Sequence, residues 1–131
     1  MNLNSEDYLR GVYYLSGGKS PVRPIDLAKR LSVSKNTISA MVEKLAGKKL
    51  LSHEKYGGIS LTPAGAKIAK GLTHKHRLIE LFLVRKLGRN ASKVHNEACR
   101  LEHDFSNESI GAIKRLLGNP KTDPHGMPIY P

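Results

Sequence analysis

The 131-residue sequence predicts a mostly α fold: an N-terminal winged helix-turn-helix followed by a helical unit. Three observations predict it. Apolar residues recur at helical spacing through most of the chain. Two short helical patterns stand only "SVS" apart, the spacing of a helix-turn-helix. The single pair of strand-like runs is joined by "KYGG", whose glycines suit a hairpin turn. We place the winged unit at residues 1–70 and the helical unit at 71–131.

The elements follow in chain order. "SEDYLRGVYYLS" carries Tyr8, Leu9, Val12, Tyr13 and Leu15 on a helical stripe, with Ser5 as the expected N-cap and acids in the first turn. "GGKS" ends that helix. Pro24 opens the second, at the position where a missing N–H costs nothing, and Ile25, Leu27, Ala28 and Leu31 face inward. Ser34 caps the third, whose stripe is Ile38, Met41, Val42 and Leu45, with Gly47 near its end. The runs from Leu51 and from Ile59 form the wing. Thr62 and Pro63 open a long helix through "AGAKIAKGLTHKHRLIELFLVRKLG". "ASKVHNEACRLEHDF" is expected to be one helix and "SNESIGAIKRLLGN" another, capped by Ser106. The proline-rich tail "PKTDPHGMPIYP" is expected to be a loop or an extended arm.

Composition narrows the function. No apolar run reaches the roughly 18 residues of a membrane span. "MNLNSEDYLRG" lacks the basic and apolar regions of a signal peptide. One cysteine cannot form an internal disulfide. A cytoplasmic protein without a membrane partner is the expectation. The net charge of +11 favours a polyanionic partner, most simply double-stranded DNA. Residues 1–73 hold 12 Lys and Arg against 5 Asp and Glu, and residues 74–131 hold 10 against 6, so charge alone does not locate the surface. The helix-turn-helix does. The first turns of its second helix offer Ser34, Lys35, Asn36, Thr37 and Ser39 to a major groove. Lys55 and Tyr56 stand at the wing tip, in reach of backbone or minor groove.

"HNEACRLEHD" is the densest chemistry in the chain. Cys99, Glu102 and His103 lie at i, i+3 and i+4, one helix face, and His95 lies one turn earlier. "HKHRLIE" places His76 and Glu80 four apart on the preceding helix. Thiolate, carboxylate and imidazole at this spacing point to a divalent metal. His53, His74 and His125 are read as ordinary surface or core histidines. An enzyme is not expected: nothing supplies an oxyanion hole, and "EHD" lacks the HExxH spacing of metallohydrolases.

A winged helix followed by "KHRLIELFL", "VHNEACRLEHDFS" and "DPHGMPI" resembles the diphtheria toxin repressor family of metal-dependent transcriptional repressors, colinearly and over essentially the whole chain. The resemblance implies two metal sites per subunit. Asp7, Cys99, Glu102 and His103 would form the primary one, and His76, Glu80 and His95 the ancillary one. Iron-responsive members have methionine at the place of Asp7; manganese-responsive members have aspartate there, glutamate at the place of Cys99, and another glutamate where this chain has Arg10. The set is therefore mixed. The soft thiolate favours Fe(II), with Mn(II) as the alternative and Co(II), Ni(II) or Zn(II) as substitutes. The resemblance further implies a homodimer repressing metal homeostasis genes, in a short form lacking the SH3-like third domain of longer relatives. "LIELFLV" supports dimerisation, being more apolar than one helix face requires. A metal-independent winged-helix regulator sensing an organic ligand is the remaining alternative.

Overall fold

The computed structural model describes residues 4–17, 20–54 and 57–129. They fall into two compact units, residues 1–70 and 71–131. The first holds α1 (Ser5–Ser16), α2 (Pro24–Leu31), α3 (Lys35–Gly47), β1 (Leu51–His53), β2 (Ile59–Leu61) and the start of α4 (Pro63–Arg85).

The cap of α1 is Asn4, one residue before the expected Ser5. The Asn4 side chain accepts from the N–H groups of Glu6 and Asp7, and the Asp7 carboxylate accepts from the Asn4 N–H at 2.8 Å. Either residue type can cap. Asn4 prevails because an acid stands three residues on and completes the reciprocal pair. Pro24 opens α2 as expected, and Ser34 caps α3, accepting from the Thr37 N–H at 3.1 Å.

Leu9, Val12, Leu27, Ile38, Leu45 and Ile59 meet in an apolar core. Gly11 lets α1 and α2 close up: a Cβ there would stand 2.8 Å from the Leu27 side chain. β1 and β2 pair antiparallel, Leu51 opposite Leu61 and His53 opposite Ile59. A third segment joins them, because Val22 exchanges backbone hydrogen bonds with Ile59 at 2.8 and 2.7 Å. Gly58 permits that approach, since a Cβ there would come within 2.6 Å of Pro21.

The second unit holds the rest of α4, a 3-10 turn (Ala91–Lys93), α5 (His95–Asp104) and α6 (Asn107–Leu116). The single helix expected over residues 91–105 is thus divided. Asn90 accepts from the Ser92 N–H at 2.9 Å and starts a separate tight turn, and α5 begins afresh at His95. Ser106 caps α6 as expected. The tail is a closed loop. Thr122 bridges to Pro128, the Ile129 N–H donates to the Lys121 carbonyl at 2.9 Å, and the Ile129 side chain is fully buried.

Leu78, Ile79, Leu83, Val94, Ala98, Ile110, Ile113 and Ile129 form the second core. It absorbs most of "LIELFLV": Leu78, Ile79, Leu81 and Leu83 are buried, and Phe82 and Val84 pack partly against them. The expectation that this run has surplus apolar surface to share is therefore corrected; helices and tail loop of the same unit take it up. Among the described residues of this unit, the large exposed apolar ones are Leu87, Leu116 and Met127. Among the described residues, no helix is long and apolar enough to cross a membrane.

Candidate metal centre

The second unit brings α4, α5 and the tail loop together around buried polar side chains. His76 and Glu80 lie one turn apart on α4; His95, Cys99, Glu102 and His103 occupy successive turns of α5. His76 is the hub. Its Nε2 meets Glu80 Oε1 at 2.9 Å, and its Nδ1 meets Glu102 Oε2 at 2.9 Å and Cys99 Sγ at 3.9 Å. His95 Nε2 approaches Cys99 Sγ at 3.5 Å, and the His95 and His76 rings meet edge to face. Glu102 is 1% exposed, and its other oxygen is 3.7 Å from His103 Nε2. His76, His95 and Cys99 present ligand atoms within 4.8 Å of one another. Cys99 therefore groups with histidines of two helices, whereas helical spacing alone had grouped it with Glu102 and His103.

The electrostatics follow from the packing. Burial opposes charge on His76, but its bonds to Cys99, Glu102 and Glu80 outweigh burial and push it up to about 11. Burial likewise opposes the Cys99 thiolate, and hydrogen bonds from His76 and His95 bring that thiol down to about 6. His95 is raised, chiefly by its bond to Cys99. Burial works against the Glu80 carboxylate, yet the bond from His76 leaves it lowered. The centre thus holds thiolate and carboxylates around an imidazolium that stands where a cation would neutralise them.

Two side chains here escaped the sequence reading. Asp123 and His125, from the tail loop, stand with Glu80 in a second group whose ligand atoms lie within 4.8 Å. His125 is no ordinary surface histidine. Its Nε2 donates to the Ala91 carbonyl at 2.9 Å, and its Nδ1 stands 3.8 Å from Glu80 Oε2 and 4.0 Å from Asp123 Oδ2. Glu80 is 3% exposed, and its Oε2 has no hydrogen-bond partner among the described residues. A buried carboxylate oxygen left unpaired costs free energy. An imidazole nitrogen and two carboxylate oxygens about 4 Å apart are donors that a divalent cation can take. The spacing D-x-H was visible in the sequence, but no periodicity aims a loop at a helix face.

The remaining candidates belong to the first unit. Asp7 is buried in α1, bonded to the Asn4 N–H, with Arg10 Nη2 3.9 Å from its other oxygen. Ser34, Lys35, Asn36, Thr37 and Ser39 are all exposed on the first turns of α3. Ser34 and Thr37 share a 2.8 Å hydrogen bond between their hydroxyls. Lys55 and Tyr56 lie outside the described residues.

Comparison with known proteins matches both halves. Residues 2–59 match the iron-dependent repressor N-terminal DNA-binding domain, and residues 62–131 match the iron-dependent repressor metal-binding and dimerisation domain. The chain is 38% identical over 112 residues to the helix-turn-helix-type transcriptional regulator MntR of Lysinibacillus sphaericus, covering 86% of this chain and 80% of that protein. It is 35% identical over 118 residues to an uncharacterised helix-turn-helix-type transcriptional regulator of Methanocaldococcus jannaschii, covering 89% of this chain and 94% of that one. Among solved structures, a manganese-dependent transcriptional repressor in complex with manganese superposes with a TM-score of 0.88 at 37% identity. That match covers 96% of this chain but only 58% of the longer chain. Profile, sequence and architecture agree: the chain belongs to the iron-dependent repressor family of metal-dependent transcriptional regulators.

Proposed function

We propose that this protein is a repressor that binds operator DNA as a homodimer when loaded with a divalent metal, Fe(II) being the favoured ion. The observation that carries the reading is the His76 hub: buried carboxylates and a thiolate from two helices share one imidazolium. Cys99, Glu102 and His103, with Asp7 of the first unit, are assigned to one site, and His76, Glu80 and His95 to the other. Asp123 and His125 join Glu80 at the second. A bound cation supplies the positive charge that His76 otherwise provides. His76 must then give up a proton to offer a lone pair, so metal uptake releases protons and weakens on acidification.

The thiolate supports Fe(II) over Mn(II). The oxygen-rich group of Glu80, Asp123 and His125, and the manganese-bound relative, support Mn(II) as the second reading.

On the DNA side, Ser34 and Thr37 hold the first turn of α3 through their mutual bonds. That leaves Asn36 and Ser39 to read base edges and Lys35 to neutralise a phosphate, with Lys55 and Tyr56 assigned to the wing contact. The protein works in the cytoplasm.

The test is operator affinity of the full chain at buffered free Fe(II), kept anaerobic, and at buffered Mn(II) and Zn(II), against chelator. Coupling of about 1–3 kcal/mol corresponds to a 5- to 150-fold gain with metal. Equal affinity with and without every ion would end this reading.

A further inference from the structure

The tail loop is built around one carboxylate. Asp123 Oδ1 accepts from the backbone N–H groups of His125 and Met127, each at 2.8 Å. The backbone closes the same turn, the Asp123 N–H donating to the Met127 carbonyl at 2.8 Å. Asp123 Oδ2 is left over and faces His125 Nδ1 at 4.0 Å. Across the ring stands Glu80 Oε2, buried and without a hydrogen-bond partner among the described residues. Asp123 is itself 7% exposed. Two buried carboxylates thus approach one imidazole, at distances too long for hydrogen bonds. The two free oxygens, Glu80 Oε2 and Asp123 Oδ2, have only this ring between them.

We infer that Asp123 couples cation binding to the fold of residues 121–129: one oxygen builds the turn, while the other joins Glu80 and His125 on the ion. The loop is placed to respond. Ile129 anchors its far end in the core, and Arg77 Nη1 donates to the Pro128 carbonyl from α4. Between these anchors and α6, the cluster is the remaining polar tie of the loop to α4 among the described residues. A cation there bridges Glu80 and Asp123, and the loop closes on α4. Loss of the ion loosens the turn while the Ile129 anchor stays.

This inference rests on the metal reading above. Hydrogen exchange of the full chain, read on peptides spanning residues 119–131 with chelator or with MnCl2, tests it, alongside bound Mn(II) measured by equilibrium dialysis. Wild type is expected to exchange about tenfold more slowly in this segment with Mn(II). Asp123→Asn keeps an acceptor for the turn but loses the anionic Oδ2; it should exchange like metal-free wild type and gain little from Mn(II). Asp123→Ala should exchange faster still, in both conditions. His125→Ala should keep the turn and lose the Mn(II) effect. Unchanged exchange on peptides of α6 shows that each variant is folded. Bound Mn(II) without protection of the segment, or full protection in Asp123→Asn, overturns the inference and leaves the metal reading standing. No bound Mn(II), Fe(II) or Co(II) at all overturns both.

Discussion

The two units solve the burial of polar groups in opposite ways. In residues 1–70 the core is apolar and the polar side chains mostly serve local ends: Asn4 and Ser34 cap helices, and exposed Arg23 pairs with Asp26 three residues away. Asp7 is the buried acid of that unit among the described residues, and even it completes a cap. In residues 71–131, Thr73, His76, Glu80, Glu102 and Asp123 are all buried, and their ionisable members interact across α4, α5 and the tail loop. The first unit is therefore held chiefly by apolar packing. The second is balanced by charge, and its balance can be reset by a metal or a proton.

The largest expected effect lies in the charged unit. Glu102→Ala removes one of the two carboxylates bonded to the buried His76 and leaves Glu80, so it should cost at most the about 3–5 kcal/mol of a fully broken buried pair. Metal should then fail to raise the melting temperature; retention of the full metal-induced shift would break the contrast. Ile38→Ala, in the apolar unit, should cost about 2–5 kcal/mol by leaving a cavity. That cost should be the same with and without metal, by denaturation at matched conditions. A loss rescued by metal would mean that the units are not independent in this respect.

A pH series sharpens the comparison next. His76 is raised to about 11, so its contribution is complete below its ordinary value near 6.5 and is lost as pH rises through about 11. Cys99 is lowered to about 6, so its contribution is complete above its ordinary value of 9.0 and is lost as pH falls through about 6. Between about 6.5 and 9 these two slopes oppose each other and the raised His95 adds a falling one, so metal-free wild type should lose stability only gently as pH rises there. Cys99→Ala removes the rising slope, so its stability should fall with pH across that range, as followed by chemical denaturation. A flat Cys99→Ala profile would show that thiol and imidazole do not share a proton.

The smallest effects belong to the first unit. Ser34→Ala should cost about 1 kcal/mol by loss of the α3 cap, with no metal dependence. Lys35→Ala should weaken operator binding for all sequences alike and lower the salt dependence by about one counterion, as read from affinity against salt concentration. A selective loss on one operator would instead place Lys35 on a base.

The contrast between the units also explains what was legible. The N-terminal unit was readable because its signals are local. Apolar stripes, Pro24, Ser34, Thr62 and the glycines of the wing each act within a few residues. The exact cap of α1, the inward placing of Ile25, which is exposed, and the pairing of Val22 with Ile59 were missed, the last because it joins residues 37 positions apart. In the second unit the resemblance supplied His76, Glu80 and His95 as a set. Helical spacing supplied Cys99, Glu102 and His103 as a face. Neither contained Asp123 or His125, and neither showed His76 touching Glu80, Glu102 and Cys99 at once.

By itself the sequence determined most of the helices and most of their caps, the wing and the identity of most donor atoms, because periodicity and capping are set by neighbours three or four residues away. Tertiary structure alone decided which helix faces meet, that "LIELFLV" is buried within its own unit, and that a loop aspartate and histidine close on Glu80. The physical reason is range. A side chain's direction follows from its own backbone, but its partner follows from how two apolar faces pack, and that choice is recorded in no single stretch of residues.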